Sequence, residues 1–200
     1  SGMSVLAACS DAMVEDDNAN ILARIWEPDV HLALWRRLLP DSLMPLASLD
    51  WEQIDDIDEP VSRETVAADL PAYLEAAGYA ELRQALADEI LPLCARFAAI
   101  MDCSWMKLRL EVVETDACRK FHADNVSARL LMPLVGPGTQ WVHAGDDHKI
   151  EALQPGEVGL FKGWKWTEAP RILHRSPPVA ATGETRLLFA LSPVERNDVA

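Results

Sequence analysis

The residues with the clearest chemical potential lie in Cys118-Arg119-Lys120-Phe121-His122-Ala123-Asp124-Asn125-Val126, just ahead of a strand-like run. In an extended segment, residues two apart point to the same side, so the His122 imidazole and the Asp124 carboxylate can hold one ion between them. A third donor has to come from elsewhere. His174, 52 residues downstream in Ile172-Leu173-His174-Arg175-Ser176-Pro177-Pro178, ends another strand-like run and is the candidate. Two imidazoles and one carboxylate leave coordination positions open for other ligands, the donor set of mononuclear non-haem iron.

With five histidines and 32 acidic residues, chance alone supplies roughly one His-x-acid pair, so the pair counts only with its context. That context is the strand run after it, the glycine-rich turns, and the late histidine followed by an arginine-bearing strand. A surface histidine beside a solvated aspartate remains the alternative. Cys118, four residues before His122, could line the same site or give a soft metal such as zinc a fourth, closing ligand. Arg129 follows closely enough to clamp an anion or to pair with one of the many acids, and Trp141 could wall a pocket.

These residues need a scaffold, and its period changes along the chain. His31, Leu34, Trp35 and Leu38 recur at helical spacing between Pro28-Asp29 and Pro40, which predicts a helix with His31 on its apolar stripe. Acids crowd Trp51 to Pro60, a solvated loop or helix face. Short helices are expected over 65–69 and 71–77, the second stopped by Gly78. Leu82, Leu86, Ile90, Leu93, Phe97 and Ile100 predict a long helix over 80–101, with Pro92 kinking or splitting it.

At Cys103 the period becomes two. Met106, Leu108, Leu110 and Val112 alternate with Lys107, Arg109 and Glu111, and further strands are expected at 128–135, 140–143, 157–161, 171–174 and 186–191. Gly136-Pro137-Gly138-Thr139, Gln154-Pro155-Gly156 and Thr182-Gly183 supply the turns. The fold class is therefore α+β: a mainly helical region over 3–102, packed as one compact unit on a β-barrel over 103–195.

Composition narrows the partners. A formal charge of −14, from 18 basic and 32 acidic residues, suits neither nucleic acid nor an anionic membrane. No apolar run reaches the ~18 residues of a membrane span, and Leu6-Ala7-Ala8-Cys9 lacks the basic and apolar regions of a signal peptide, so a cytoplasmic protein is expected. Ser1-Gly2 reads as a cleavage scar before a native Met3. The four cysteines form no Cys-x-x-Cys pair, against both a zinc ribbon and a disulfide framework.

A helical front, a small barrel, His-x-Asp early and a histidine late resemble the double-stranded β-helix (jelly roll) of cupins and of 2-oxoglutarate/Fe(II) oxygenases over residues 103–195. That resemblance implies iron on His122, Asp124 and His174. It also implies that Arg186, 12 residues past His174, pairs with the far carboxylate of 2-oxoglutarate, although Leu188 stands where these enzymes often carry a hydroxyl. The strings Phe121-His122-Ala123-Asp124-Asn125-Val126, Leu134-Val135-Gly136-Pro137-Gly138-Thr139-Gln140-Trp141, Gly159-Leu160-Phe161-Lys162-Gly163 and His174-Arg175-Ser176-Pro177-Pro178 resemble a bacterial family called domain of unknown function 1826, which implies a metal-linked role. Three readings stay open: an oxygenase acting on a small-molecule or protein substrate, a non-catalytic zinc protein of metal homeostasis, and a cupin-like binding module with an empty site.

Overall fold

The computed structural model describes residues 11–115 and 120–194. Its centre is a seven-stranded sheet in the order β1-β2-β8-β5-β10-β4-β3, faced on one side by a three-stranded sheet, β7-β6-β9. The strands are β1 Met13–Asp16, β2 Leu32–Trp35, β3 Ile57–Ser62, β4 Trp105–Val113, β5 Ala128–Val135, β6 Gln140–His143, β7 Glu151–Ala152, β8 Val158–Lys162, β9 Ile172–Arg175 and β10 Arg186–Pro193. Two α-helices, α1 Val66–Ala77 and α2 Arg83–Met101, contribute to the core on the opposite side of the large sheet.

Strand alternation creates two separate cores. Met106, Leu108 and Leu110 of β4, Leu130 and Met132 of β5, and Leu187, Phe189 and Leu191 of β10 are buried with Leu74, Leu86, Ile90, Phe97 and other helical residues. The intervening positions face the small sheet. Leu131, Phe161, Leu188 and Ala190 pack there with Trp141 and Ile172 in a smaller apolar cluster. Because side chains alternate with a period of two, one strand serves both faces without conflict.

The N-terminal half mixes helices with strands. Its region contributes β1, β2 and β3 to the large sheet, and much of its remaining helix is 3-10, over 19–26 and 41–48. The segment read as a helix from His31 to Leu38 is instead β2, antiparallel to β8 with Leu32 opposite Phe161 and Trp35 opposite Val158. Residues 31–34 are all buried, so the run is apolar on both faces, and a short run of that kind fits helix and strand spacing alike. The acidic stretch after Trp51 ends in β3, an edge strand antiparallel to β4. Its Asp58, Glu59 and Pro60 suit an edge, where charge and proline discourage further pairing.

The later helix expectations hold in position, but the two short helices are one. α1 runs through Pro71 as one helix and stops at Gly78, whose φ of 105° is a left-handed conformation that glycine adopts without penalty. α2 likewise runs through Pro92 as one helix. All six strands expected after residue 103 are present, with β5 and β6 at the expected limits.

Candidate metal centre

The loop between β4 and β5 carries His122 and Asp124, and β9 carries His174. Backbone hydrogen bonds tie the two elements together: the His122 N–H donates to the His174 carbonyl at 3.0 Å, and the His174 N–H donates to the His122 carbonyl at 2.8 Å. This single antiparallel bridge brings the imidazoles together, with ring centroids 4.8 Å apart and planes inclined at 50°. Phe161 of β8 also packs against the His174 ring, with centroids 4.8 Å apart and planes inclined at 51°.

Asp124 is positioned from the opposite direction. The Trp164 N–H donates to the Asp124 carbonyl at 2.8 Å, and the Gly163 N–H donates to the Ser127 carbonyl at 2.8 Å. A Cβ on Gly163 would run into the carbonyl oxygens of Asp124 and Val126, so only glycine permits this approach. Arg129 then pairs with Asp124 Oδ1 at 3.0 Å and orients the carboxylate.

Among the described residues, His122, Asp124 and His174 form a group whose ligand-type atoms all lie within 4.8 Å of one another. His174 Nε2 lies 3.0 Å from Asp124 Oδ2, and His122 Nε2 lies 3.4 Å from Asp124 Oδ1. Close as they are, His174 Nε2 and Asp124 Oδ2 are buried without a hydrogen-bond partner. Their approach is an ion-pair distance with poor hydrogen-bond alignment, a costly arrangement unless a third group lies between them. His122 Nδ1 sits 2.9 Å from the Lys120 carbonyl; as a carbonyl can only accept, Nδ1 carries the proton and Nε2 keeps a lone pair for the cluster.

Charge follows from the same contacts. Burial would raise the Asp124 pKa, but His122, His174 and Arg129 outweigh it and hold the carboxyl well below the usual carboxylate range. Its contact with Asp124 lifts His122 above the ordinary histidine value, against the opposing effect of burial. The carboxylate is therefore ionised and ready as a ligand. The fit to a metal is good in donor type and burial, and ligand bonds of ~2.0–2.2 Å require only small side-chain movements to draw a 4.8 Å group around one ion.

The triad opens on a cavity of about 140 Å³ lined by Arg109, Glu111, Arg129, Thr139, Arg175, Leu188 and Ala190, among others. Arg186 is not on this lining. It is 1% exposed, on the same side of β10 as Leu188 and Ala190, and its Nε donates to the Pro137 carbonyl at 2.6 Å. Both Nη atoms are buried without partners, and burial pulls the guanidinium down to about 10. Trp141 packs between the sheets directly across from His174 in the β6–β9 register, with its Nε1 unpartnered. Cys118 lies outside the described residues.

Arg109, Glu111, Thr139 and Arg175 join the site without having been singled out from sequence. For Arg109 and Glu111 a signal existed, since they occupy the polar positions of an alternating strand, but nothing in the pattern says what that polar face meets. Two other histidines lie away from the cluster: His31 is buried with Nδ1 accepting the Arg171 N–H, and His143 Nε2 meets Asp11 at 3.1 Å.

A family model described as "Protein of unknown function (DUF1826)" matches residues 16–192, and the chain belongs to that family. No curated protein matches it. Its fold is similar to that of a Pseudomonas putida prolyl-4-hydroxylase, at a TM-score of 0.50 and 17% identity over 89% of this chain and 94% of that one. Weaker likenesses include a putative oxygenase from Shewanella oneidensis, at TM-score 0.47 and 15% identity over 90% and 88% of the two chains. A dioxygenase for auxin oxidation in rice gives a TM-score of 0.44 and 16% identity over 98% and 68%. The fold is thus α+β and oxygenase-like.

Proposed function

We propose that the protein is a non-haem Fe(II) oxygenase that uses 2-oxoglutarate. The observation that carries this reading is the pair of buried, partnerless ligand atoms, Asp124 Oδ2 and His174 Nε2, brought together with His122 at one end of a polar cavity. Iron held by these three residues would supply dioxygen activation, with coordination positions left open for other ligands. The chain's own contribution is placement: Lys120 and Phe161 fix the two imidazoles, Arg129 fixes the carboxylate, and Trp141 and Leu188 help keep water from the inner wall.

Arg186 is the co-substrate anchor in this reading. A buried guanidinium with two unpartnered Nη atoms is stabilised by a planar acid group that accepts from both. Leu188 offers that acid no hydrogen bond, but Thr139, buried on the cavity lining two residues after Pro137, has a hydroxyl available for the role. The reading needs the Arg186 side chain to gain access to the cavity when the acid enters.

Oxygen uptake by Fe(II)-loaded protein, with and without 2-oxoglutarate, tests the proposal. Slow uptake that requires both, and vanishes in Asp124→Ala, is expected. Failure to bind Fe(II), or uptake indifferent to 2-oxoglutarate, would remove it.

A further inference from the structure

The cavity and the buried Arg186 outside its lining together carry more positive charge than a metal site and one co-substrate account for. Arg129 is committed to Asp124 at 3.0 Å and Arg109 to Glu111 at 2.5 Å, yet the Nε of each arginine is buried without a hydrogen-bond partner. With Arg186, three guanidiniums meet two carboxylates. A divalent ion on the triad raises the surplus of these five groups from one positive charge to three, and a doubly charged co-substrate still leaves one. Such a concentration of cations is conspicuous in a chain of net charge −14.

Arg109 is placed to use that surplus. On β4 it lies between Asp58 of β3, which pairs with Lys107, and Ala190 of β10, which in turn lies opposite Leu131 of β5, so a small and an apolar side chain flank it on the cavity side. Arg186 lies opposite Val113, four residues farther along β4, or about 13 Å at the rise of a strand. The two arginines therefore stem from distinct parts of the inter-sheet space. The cavity volume, about 140 Å³, falls well below the ~300–1,000 Å³ of pockets that engulf drug-sized ligands.

We infer that Arg109 is a second anion seat, and that the substrate is a compact organic acid whose carboxylate binds Arg109 while Arg186 holds the co-substrate. The inference rests on the oxygenase reading for the role of that acid, but the seat itself does not. Glu111 is the internal stand-in: its carboxylate occupies one edge of the guanidinium until a ligand competes for it, and the Nε edge awaits an acceptor.

Ligand-observed NMR on the full chain, loaded with diamagnetic Zn(II) and mixed with 2-oxoglutarate, tests this with propionate and neutral propionamide as probes. Propionate is expected to bind at least about tenfold more tightly than propionamide, as for a charge-assisted hydrogen bond. Arg109→Gln is expected to erase that preference while changing 2-oxoglutarate affinity less than twofold, and Arg186→Gln to do the reverse. Glu111→Gln, which frees the guanidinium without removing it, is expected to tighten propionate binding severalfold and decides the matter should Arg109→Gln fail to fold. Equal binding of acid and amide, or a propionate loss confined to Arg186→Gln, would overturn the second seat. If 2-oxoglutarate does not bind at all, the oxygenase reading falls, while a propionate preference lost only in Arg109→Gln still supports the seat.

Discussion

The two faces of the large sheet have divided stability from chemistry, and β4 displays the division within nine residues. Met106, Leu108 and Leu110 are wholly buried against the helices, whereas Arg109 and Glu111 line the cavity on the other side. The helix-side core is broad and apolar; the inter-sheet core is small and broken by His174, Arg186 and Asp124. Neighbouring residues on one strand should consequently have unrelated phenotypes. Substitutions toward the helices should cost stability, and substitutions toward the small sheet should cost ligands.

Phe97→Ala on α2 should give the largest loss. Its ring is fully buried, and truncating a core aromatic costs about 3–5 kcal/mol. Chemical denaturation should reveal this as a lower midpoint, with metal affinity of the folded fraction unchanged; a parallel loss of metal affinity would break the division between faces.

Gly163→Ala should reverse that balance. The new methyl must displace the Asp124 and Val126 carbonyls, so the carboxylate leaves its place beside His174. Metal affinity should fall about 10–100-fold, as when groups that orient ligands are lost. Calorimetric titration of the metal would measure it, and unchanged affinity would mean that the Gly163 contact does not position Asp124.

His122→Ala should abolish tight metal binding for a smaller stability change, within about 1 kcal/mol, because the side chain is 37% exposed and outside both apolar cores. The smallest effect concerns Cys94. Its thiol is enclosed by the helix-side core, and burial pushes its pKa up to about 12. The reactive thiolate is thus scarce below that pH, and alkylation at pH 8 should occur only upon unfolding. Rapid labelling of native protein would show that the helix side opens locally.

What the sequence made legible follows the same division. Strands β4 to β6 and β8 to β10 alternate or end at glycine turns, and the His-x-Asp and late-histidine placement needed only strand geometry to suggest a shared ion. Strands β2 and β3 were hidden for local reasons. Leu32 to Trp35 is apolar on both faces, and β3 carries Asp58, Glu59 and Pro60 because it is an edge. Arg109 stayed obscure because its meaning depends on which face the small sheet covers. Arg186 was singled out only through the resemblance to oxygenases, and its burial behind the cavity lining, with Nε on the Pro137 carbonyl, is set by a turn no spacing rule describes.

Cobalt(II) titration followed by optical absorption tests the metal centre most directly, because the colour of the bound ion reports its donors. One equivalent should bind and give weak d–d bands without intense near-ultraviolet thiolate charge transfer, the signature of a nitrogen and oxygen site with open positions on His122, Asp124 and His174. No binding would refute a metal centre there; strong thiolate absorption that disappears in Cys118→Ser would make the site a closed, cysteine-ligated one and contradict the oxygenase account.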